Sequence, residues 1–174
     1  MAAQITLTGY SDAAAYAVLS RLDAADLAEA EVTRGATVTG LSLFADWRGM
    51  EPHRAVSMVV RSGFGPHGTP IALFALVNTG QAGVAAAALL ACNHRSWRPE
   101  LLRLAVELRR QMPGFASQRR INRIEARCWA RHPTAARLLG ALGFRHEASM
   151  TGFGPKGTET FHQFAFLSPP QQET

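Results

Sequence analysis

Cysteine is scarce in this sequence and lysine is almost absent. The two cysteines, Cys92 and Cys128, lie in apolar stretches, which is typical of reduced core thiols rather than of a disulfide framework. No apolar run approaches the ~18 residues of a membrane helix. The N-terminus lacks the basic and apolar segments of a secretory signal. The length of 174 residues predicts a single domain, and these absences predict a cytoplasmic location.

Arginine supplies 17 of the 18 basic residues, and its distribution is uneven. Residues 93–150 carry twelve arginines and four acids, whereas residues 1–92 carry five arginines and seven acids. An arginine-rich half could meet an anionic partner such as a nucleotide or a nucleic acid. No aromatic stacking motif accompanies the charge, so nucleic-acid binding is the less favoured interpretation. Ordinary surface arginines explain the composition better.

The stretch 121–144 has the clearest pattern in the chain. Its first part alternates apolar and charged residues, which predicts a strand. The apolar positions of that strand are Ile124, Ala126 and Cys128. Its second part has apolar residues at spacings of three and four, which predicts a helix that begins near Pro133. The apolar positions of that helix are Ala135, Leu138, Leu139 and Leu142. Gly143 should end the helix in a left-handed conformation, and Phe144 should begin the next strand.

The remaining elements follow from periodicity and turn residues. Further strands are predicted over residues 4–10, 70–78, 84–92, 145–150 and 160–167. Further helices are predicted over residues 12–22, 24–32, 41–47, 52–61 and 97–112. The pair 70–78 and 84–92 should form a hairpin, although the alanine content of the second run makes a helix the alternative. Pro113 and Gly114 should end the helix over 97–112. Residues 1–167 then form one domain, and residues 168–174 form a polar tail.

The segment Ala135-x-x-Leu138-Leu139-x-x-Leu142-Gly143-Phe144, after a strand and a short turn, resembles the C-terminal signature of the GCN5-related N-acetyltransferases, the GNAT family. The resemblance covers residues 121 to about 147 well and the rest loosely. Some other strand–helix–strand α/β protein is the alternative. The resemblance implies a single-domain α/β fold with a mixed central sheet, splayed middle strands and flanking helices. It also implies that acetyl-CoA lies in the cleft between the splayed strands.

The segment that would contact the CoA pyrophosphate departs from the family pattern. The family uses a glycine-rich loop, because free amides and the helix dipole then converge on the anion. The equivalent segment here, residues 93–99, contains no glycine. Ser96 could cap the following helix, and Arg95 and Arg98 could bind phosphates by side chain. A plain helix start with solvated arginines is the alternative. The resemblance implies these cofactor contacts: Leu90, Cys92, Arg95, Ser96, Trp97, Arg98 and His132.

Catalytic residues are poorly specified by the sequence. Many members of the family have a tyrosine that protonates the departing thiolate, and Leu139 stands at that position and cannot act as an acid. His132 replaces the family's asparagine and could hydrogen-bond pantetheine or shuttle a proton, which makes it the weak catalytic candidate. A helix-capping or surface role for His132 is the simpler interpretation. Glu125 as a general base is less favoured. His146 and His162, on or near the late strands, are equally plausible as surface residues.

No metal site is predicted. His94 has no useful ligand spacing with Cys92 or with His132. The chain also lacks a P-loop and a Gly-x-Ser-x-Gly motif.

A second, narrower resemblance concerns four short segments, which are residues 19–26, 70–74, 142–144 and 157–164. They are similar to small bacteriophage proteins with an acetyltransferase-like fold, including an internal virion protein of short-tailed phages. The two resemblances together imply an acetyl-CoA-dependent N-acetyltransferase of phage or prophage origin with a degenerate pyrophosphate loop. Its acceptor would be a small-molecule or protein amine. The alternative is a non-catalytic, virion-associated protein that binds other particle proteins.

Overall fold

Seven strands form one sheet in the computed structural model, which describes residues 4–63, 65 and 67–168. The strands are β1 (Ile5–Gly9), β2 (Arg54–Ser62), β3 (Thr69–Asn78), β4 (Val84–Ala91), β5 (Arg123–Trp129), β6 (Arg145–Phe153) and β7 (Glu159–Leu167). The helices are α1 (Asp12–Leu19), α2 (Ala24–Arg34), α3 (Gly40–Gly49), α4 (Arg98–Gln118) and α5 (Ala135–Ala141), with a 3-10 turn at Glu51–His53. The sheet order is β1-β2-β3-β4-β5-β7-β6. This mixed sheet with flanking helices confirms the predicted fold class.

Strands β4 and β5 are the parallel pair, and they separate soon after they begin. Val84–Ala86 pairs with Arg123–Glu125, and no further pairs join the two strands within the described residues. β4 nevertheless continues to Ala91 and β5 to Trp129. The predicted splay of the middle strands is therefore confirmed. The β3–β4 hairpin is confirmed as well, and the helical alternative for residues 84–92 is wrong.

The helices cover the two faces of the sheet in separate groups. On one face, α1 and α3 bury Val18 and Leu43 together with Leu73 of β3. On the other face, α4 buries Leu104 together with Ala72 of β3. Each fully buried aliphatic side chain of this kind contributes about 1.5–3 kcal/mol of transfer free energy. None of the helices in the described ranges has the length and hydropathy needed to cross a membrane.

The helix predicted over residues 52–61 is wrong, because β2 occupies most of that range. Both Val59 and Val60 are fully buried, although they point to opposite faces of the sheet. A strand covered on both faces shows no alternation of apolar and polar residues. Its valines therefore matched a helical spacing by chance.

The prediction that Pro113 and Gly114 end their helix is also wrong, because α4 continues to Gln118. Pro113 removes one intrahelical N–H and leaves the carbonyl of Arg109 without that donor. The helix continues because Ala116, one turn further, is fully buried in the core. Burial of the last turn thus outweighs the local preference of proline.

The signature region has the predicted order of elements. α5 begins after its N-cap, Thr134, which places Pro133 just outside the helix rather than at its first position. Gly143 has φ +92°, the positive value that glycine adopts without strain. At the C-terminus, the Ser168 N–H donates to the Asn122 carbonyl over 2.9 Å, so this residue of the predicted tail is held. The remainder of that tail, residues 169–174, lies outside the described residues.

Candidate functional site

The gap between β4 and β5 opens into a cavity of about 1210 Å³. Its walls come from β2, β3 and both splayed strands, from α2 and α3 on one face of the sheet, and from much of the length of α4 and from α5 on the other. The cavity is large because the two strands diverge and leave backbone edges that no strand covers. Ligand sites in α/β folds are commonly built at such a divergence of neighbouring strands.

Two carboxylates of α2 bind the open edges of the splayed strands. The Ala91 N–H donates to Asp26 Oδ2 over 2.9 Å, and the Trp129 N–H donates to Glu29 Oε2 over 3.0 Å. Asp26 and Glu29 are three residues apart and share one face of the helix. A buried N–H without a partner is costly, so these bonds satisfy the two strand ends. Helix α2 therefore bridges the mouth of the gap.

Asp23 fixes where α2 starts. Its side chain accepts the Ala25 N–H over 2.9 Å as the N-cap, and its other oxygen accepts the His94 N–H over 2.7 Å. Just before it, Leu22 pairs with Cys92 in an isolated antiparallel bridge. α1 consequently ends at Leu19, earlier than predicted. The segment between the helices is thereby bound to the end of β4.

His132 is buried and is bonded through both ring nitrogens. Its Nδ1 accepts the Ala135 N–H over 3.0 Å at the start of α5. Because Nδ1 must be an acceptor there, the ring proton lies on Nε2, which donates to Asp26 Oδ1 over 2.8 Å. The side chain is only 2% exposed. Of the two simpler interpretations, the helix-capping one is therefore confirmed, and the surface one is wrong.

His94 lies between oxygen atoms on both sides of its ring. Nε2 is 3.3 Å from Asp26 Oδ2, and Nδ1 is 3.3 Å from Thr134 Oγ1 and 3.7 Å from Asp23 Oδ1. An acceptor at each nitrogen is the arrangement that a doubly protonated imidazolium requires. Burial disfavours that charge, but the hydrogen bond to Asp26 and the charges of Asp26 and Asp23 outweigh it and raise the pKa of His94.

The two carboxylates of α2 respond to their surroundings in opposite directions. Burial alone would raise the pKa of Asp26, but hydrogen bonds from His132, His94 and the Ala91 N–H lower it below its ordinary value. Glu29 receives fewer such bonds, so burial dominates and raises its pKa. Asp26 is thus the fixed negative charge of the site.

Asp26, His94 and His132 also bring their potential metal-ligating atoms within 4.8 Å of one another. A histidine that binds a metal through one nitrogen normally donates a hydrogen bond from the other. His132 instead accepts a hydrogen bond at Nδ1, so its Nε2 carries a proton and has no lone pair for a metal. The donor set fits a hydrogen-bond network better than a metal centre.

Four of the seven predicted cofactor residues line the cavity, and three do not. Leu90, Arg95, Arg98 and His132 line the cavity, whereas Cys92, Ser96 and Trp97, all of them described, do not. The predicted capping by Ser96 is wrong, because the N-cap of α4 is Trp97 and no side chain caps it. The Ser96 N–H donates to Asn93 instead. Trp97 packs in the core, and the Cys92 thiol donates to a backbone carbonyl over 3.5 Å.

The other candidates lie apart from the His94 network. Glu125 forms an ion pair with Arg123 over 2.7 Å. His146 and His162 contact each other, with ring centroids 5.0 Å apart, near the exposed edge strand β6. Leu139 does line the cavity, as the resemblance implied.

Sequence reasoning missed Asp26, Glu29 and Thr134 as site residues. A signal for the first two was present, because Asp23, Asp26 and Glu29 recur every three residues and so lie along one face of a helix. No local pattern marks Thr134.

The far end of the cavity contains a buried cation. The Arg54 guanidinium lies 4.1 Å from the centroid of the Trp47 ring, and its Nη1 donates to Glu51 over 2.5 Å. Arg54 Nε and Trp47 Nε1 have no hydrogen-bond partner among the described residues. Both nitrogens are shielded from the cavity surface, so they are buried polar atoms that no described residue satisfies.

Comparison with known proteins shows the fold. No protein-family model matches the sequence, and no curated protein matches it in sequence. A GNAT-family acetyltransferase from Bacillus anthracis has a similar structure, with a TM-score of 0.70 and 12% identity over 96% of both chains. Spermidine N-acetyltransferase from Vibrio cholerae, solved with CoA and spermine, has a TM-score of 0.65 and 12% identity, with 95% of this chain and 96% of that chain covered.

A third similar structure is a GNAT-superfamily phosphinothricin acetyltransferase from Sinorhizobium meliloti, in complex with AcCoA. Its TM-score is 0.62 at 13% identity, and 97% of this chain and 90% of that chain are covered. The chain thus has the GNAT fold along nearly its whole length.

Proposed function

We propose that this protein is an acyl-CoA-dependent N-acyltransferase that acetylates an amine in the β4–β5 gap. The observation that carries the proposal is the separation of β4 from β5 after Ala86, which opens an uncovered strand edge into the cavity. Similar structures hold CoA or acetyl-CoA, which supports the choice of cofactor. Acetyl-CoA would supply the thioester that the acceptor amine attacks.

The chain's own contribution is to hold two reactants together. The edge of β4 beyond Ala86 presents peptide groups without a strand partner, which suits an amide-bearing arm laid along it. Positioning a bound amine against a thioester can itself account for about 7–11 kcal/mol of the barrier. The acceptor would enter from the α2–α3 side of the cavity. The acceptor would be an amine, either of a small molecule or of a protein.

In this proposal, side chains rather than backbone amides bind the phosphates of the cofactor. Arg95 and Arg98 are exposed, line the cavity and stand at the start of α4. Two guanidinium groups can bind a diphosphate without the close backbone approach that glycines allow. In the degenerate loop, arginine side chains would then take the place of the backbone amides that bind the pyrophosphate in a glycine-rich loop.

A non-catalytic role is the second candidate. Asp26 and Glu29 occupy the N–H groups of Ala91 and Trp129, which narrows the part of the gap left for a cofactor arm. A phage-particle protein that keeps the fold for packing would have no need of a free edge. The two candidates differ in whether acetyl-CoA binds.

The test is a thermal-shift titration with acetyl-CoA, followed by an assay of thiol release with a panel of amines. At a hundredfold excess over Kd, the ligand should stabilise the fold by about 2.7 kcal/mol, which raises Tm by about 5–11 °C. Replacing Arg95 and Arg98 together by glutamate should raise Kd by about 100-fold, equivalent to two charge-assisted hydrogen bonds.

Arg119→Glu, at the opposite end of α4, is the matched control and should leave Kd unchanged. If millimolar acetyl-CoA produces no thermal shift, the acyltransferase proposal is wrong and the non-catalytic role remains.

A further inference from the structure

A chain of hydrogen bonds leads from the buried carboxylate of Asp26 through His94 to a hydroxyl in the cavity. Asp26 Oδ2 is 3.3 Å from His94 Nε2, and His94 Nδ1 is 3.3 Å from Thr134 Oγ1. All three residues line the cavity. A carboxylate, an imidazole and a hydroxyl in series form an arrangement that moves protons to or from a reacting group.

The hydrogen-bond acceptors around the His94 ring determine the direction in which protons move along the chain of hydrogen bonds. Asp26 is held ionised by the His132 Nε2–H and the Ala91 N–H, so it accepts from His94 Nε2. With a proton on each nitrogen, His94 donates from Nδ1 to Thr134 Oγ1. The Thr134 hydroxyl proton is then free, because no other described residue accepts it. The Thr134 hydroxyl is therefore a proton donor whose proton the His94 imidazolium can replace.

Acyl transfer from an alkyl thioester needs such a donor. The departing thiolate is a strong base, and protonating it as it leaves is worth about 10²–10⁴ in rate. Both tyrosines, Tyr10 and Tyr16, are described and neither lines the cavity. Leu139 lines it but has no proton to give.

We propose that Thr134 is the catalytic proton donor to the leaving thiolate, with His94 as the group that resupplies it and Asp26 as the residue that positions His94. This inference rests on the proposed acyltransferase function. The amine nitrogen bonds to the acetyl carbonyl carbon, the C–S bond breaks and its electron pair leaves with sulfur. The Thr134 Oγ proton passes to sulfur as the His94 Nδ1 proton passes to Oγ. The nitrogen releases its surplus proton to water, and a proton from water restores His94.

The experiment compares Thr134→Val, which removes the hydroxyl at nearly constant shape, with Thr134→Ser, which keeps it. Rates are measured with acetyl-CoA, with S-acetyl-N-acetylcysteamine as a small alkyl thioester, and with the acetyl thioester of para-nitrothiophenol, whose acidic thiol leaves without a proton. Thr151→Val, on the exposed strand β6, is the control for a threonine-to-valine change. The ring nitrogens of His94 are followed by NMR in each variant, a readout that needs no turnover.

Thr134→Val should lower kcat by about 100-fold with both alkyl thioesters and by only a few-fold with the aryl thioester. Thr134→Ser should recover most of the rate that Thr134→Val loses, and Thr151→Val should stay close to wild type. The NMR titration should show a His94 pKa above its ordinary value, because burial is outweighed by the hydrogen bond to Asp26 and by the charges of Asp26 and Asp23, and this pKa should fall in Thr134→Val.

An active wild type in which Thr134→Val has equal effects on alkyl and aryl thioesters would overturn the inference alone. A wild type that transfers no acetyl group from any thioester would overturn the proposed function and the proton path together. In that event the NMR titration would still show whether the hydrogen bond exists.

Discussion

Replacing Asp26 by asparagine tests whether its carboxylate holds the site together. The aspartate accepts three hydrogen bonds on two oxygens, from His132 on one and from Ala91 and His94 on the other. Asparagine has the same shape but only one acceptor oxygen. Whichever way the amide is turned, its NH₂ group faces a donor, either the Ala91 N–H or the His132 Nε2–H. His132 cannot move its proton to Nδ1, because the Ala135 N–H already occupies that nitrogen.

The magnitude follows from these contacts. One buried donor is left without an acceptor, which costs about 1–3 kcal/mol. The charge-assisted bond to His94 is also weakened, at a further cost of about 1 kcal/mol. We expect the free energy of unfolding to fall by about 2–4 kcal/mol. For a chain of this length the corresponding loss in Tm is about 4–16 °C.

The destabilisation should depend on pH in a defined direction. Asp26 has a lowered pKa, so its contribution is present above its ordinary value of 3.8 and is lost as the pH falls through its pKa in the folded protein. His94 has a raised pKa, so its contribution is present below its ordinary value of 6.5 and is lost as the pH rises through its folded pKa. The difference between wild type and Asp26→Asn should therefore be largest between those two values. Above the pKa of His94 it should shrink without vanishing.

Urea unfolding followed by tryptophan fluorescence, at about pH 6 and about pH 9, measures both effects. Asp46→Asn is the control, because Asp46 forms an exposed pair with Arg34 and should cost no more than about 1 kcal/mol. A loss for Asp26→Asn no larger than that of Asp46→Asn would refute the reasoning. A difference that grows toward alkaline pH would refute the assignment of charge to His94.

Three further predictions concern stability and can be measured by the same urea unfolding. Gly143→Ala should destabilise by about 1–2 kcal/mol, because φ +92° is strained for alanine. Pro113→Ala should stabilise by about 1–3 kcal/mol, since it restores an N–H inside α4 at an exposed position; no gain would mean that the helix is bent to suit proline. Glu29→Gln should stabilise the protein at neutral pH and leave its stability unchanged below about pH 4. The raised pKa of Glu29 means that ionisation of this carboxyl opposes folding, and glutamine cannot ionise. Greater stability of the wild type at neutral pH would contradict this.

Local sequence patterns predicted most elements correctly where one face of the element was polar. The alternation in residues 123–129 and the spacing in residues 135–142 identified β5 and α5. The same reasoning failed for β2, which is covered on both faces and so lacks alternation. It also failed at Pro113, where burial of Ala116 sustains a helix that the local residues should have ended.

The candidate site was predicted only in part, because its members are far apart in the chain. His132 was singled out for its place after β5, and the structure puts it in the cavity. His94 was set aside, since its sequence spacing from His132 suggests no shared chemistry. Asp26 joins the two across 68 and 106 residues.

Most strands and helices, and the likeness to the acetyltransferase fold, could be read from local patterns, because these depend on residues within a few positions of one another. Only the tertiary structure decided which polar groups meet. The splay of β4 and β5 leaves N–H groups that must find acceptors, and the packing of α2 across the gap supplies them from Asp26 and Glu29. That requirement places a negative charge beside His94, and the fold brings Thr134, an inconspicuous residue in the sequence, to 3.3 Å from the other nitrogen of the same ring.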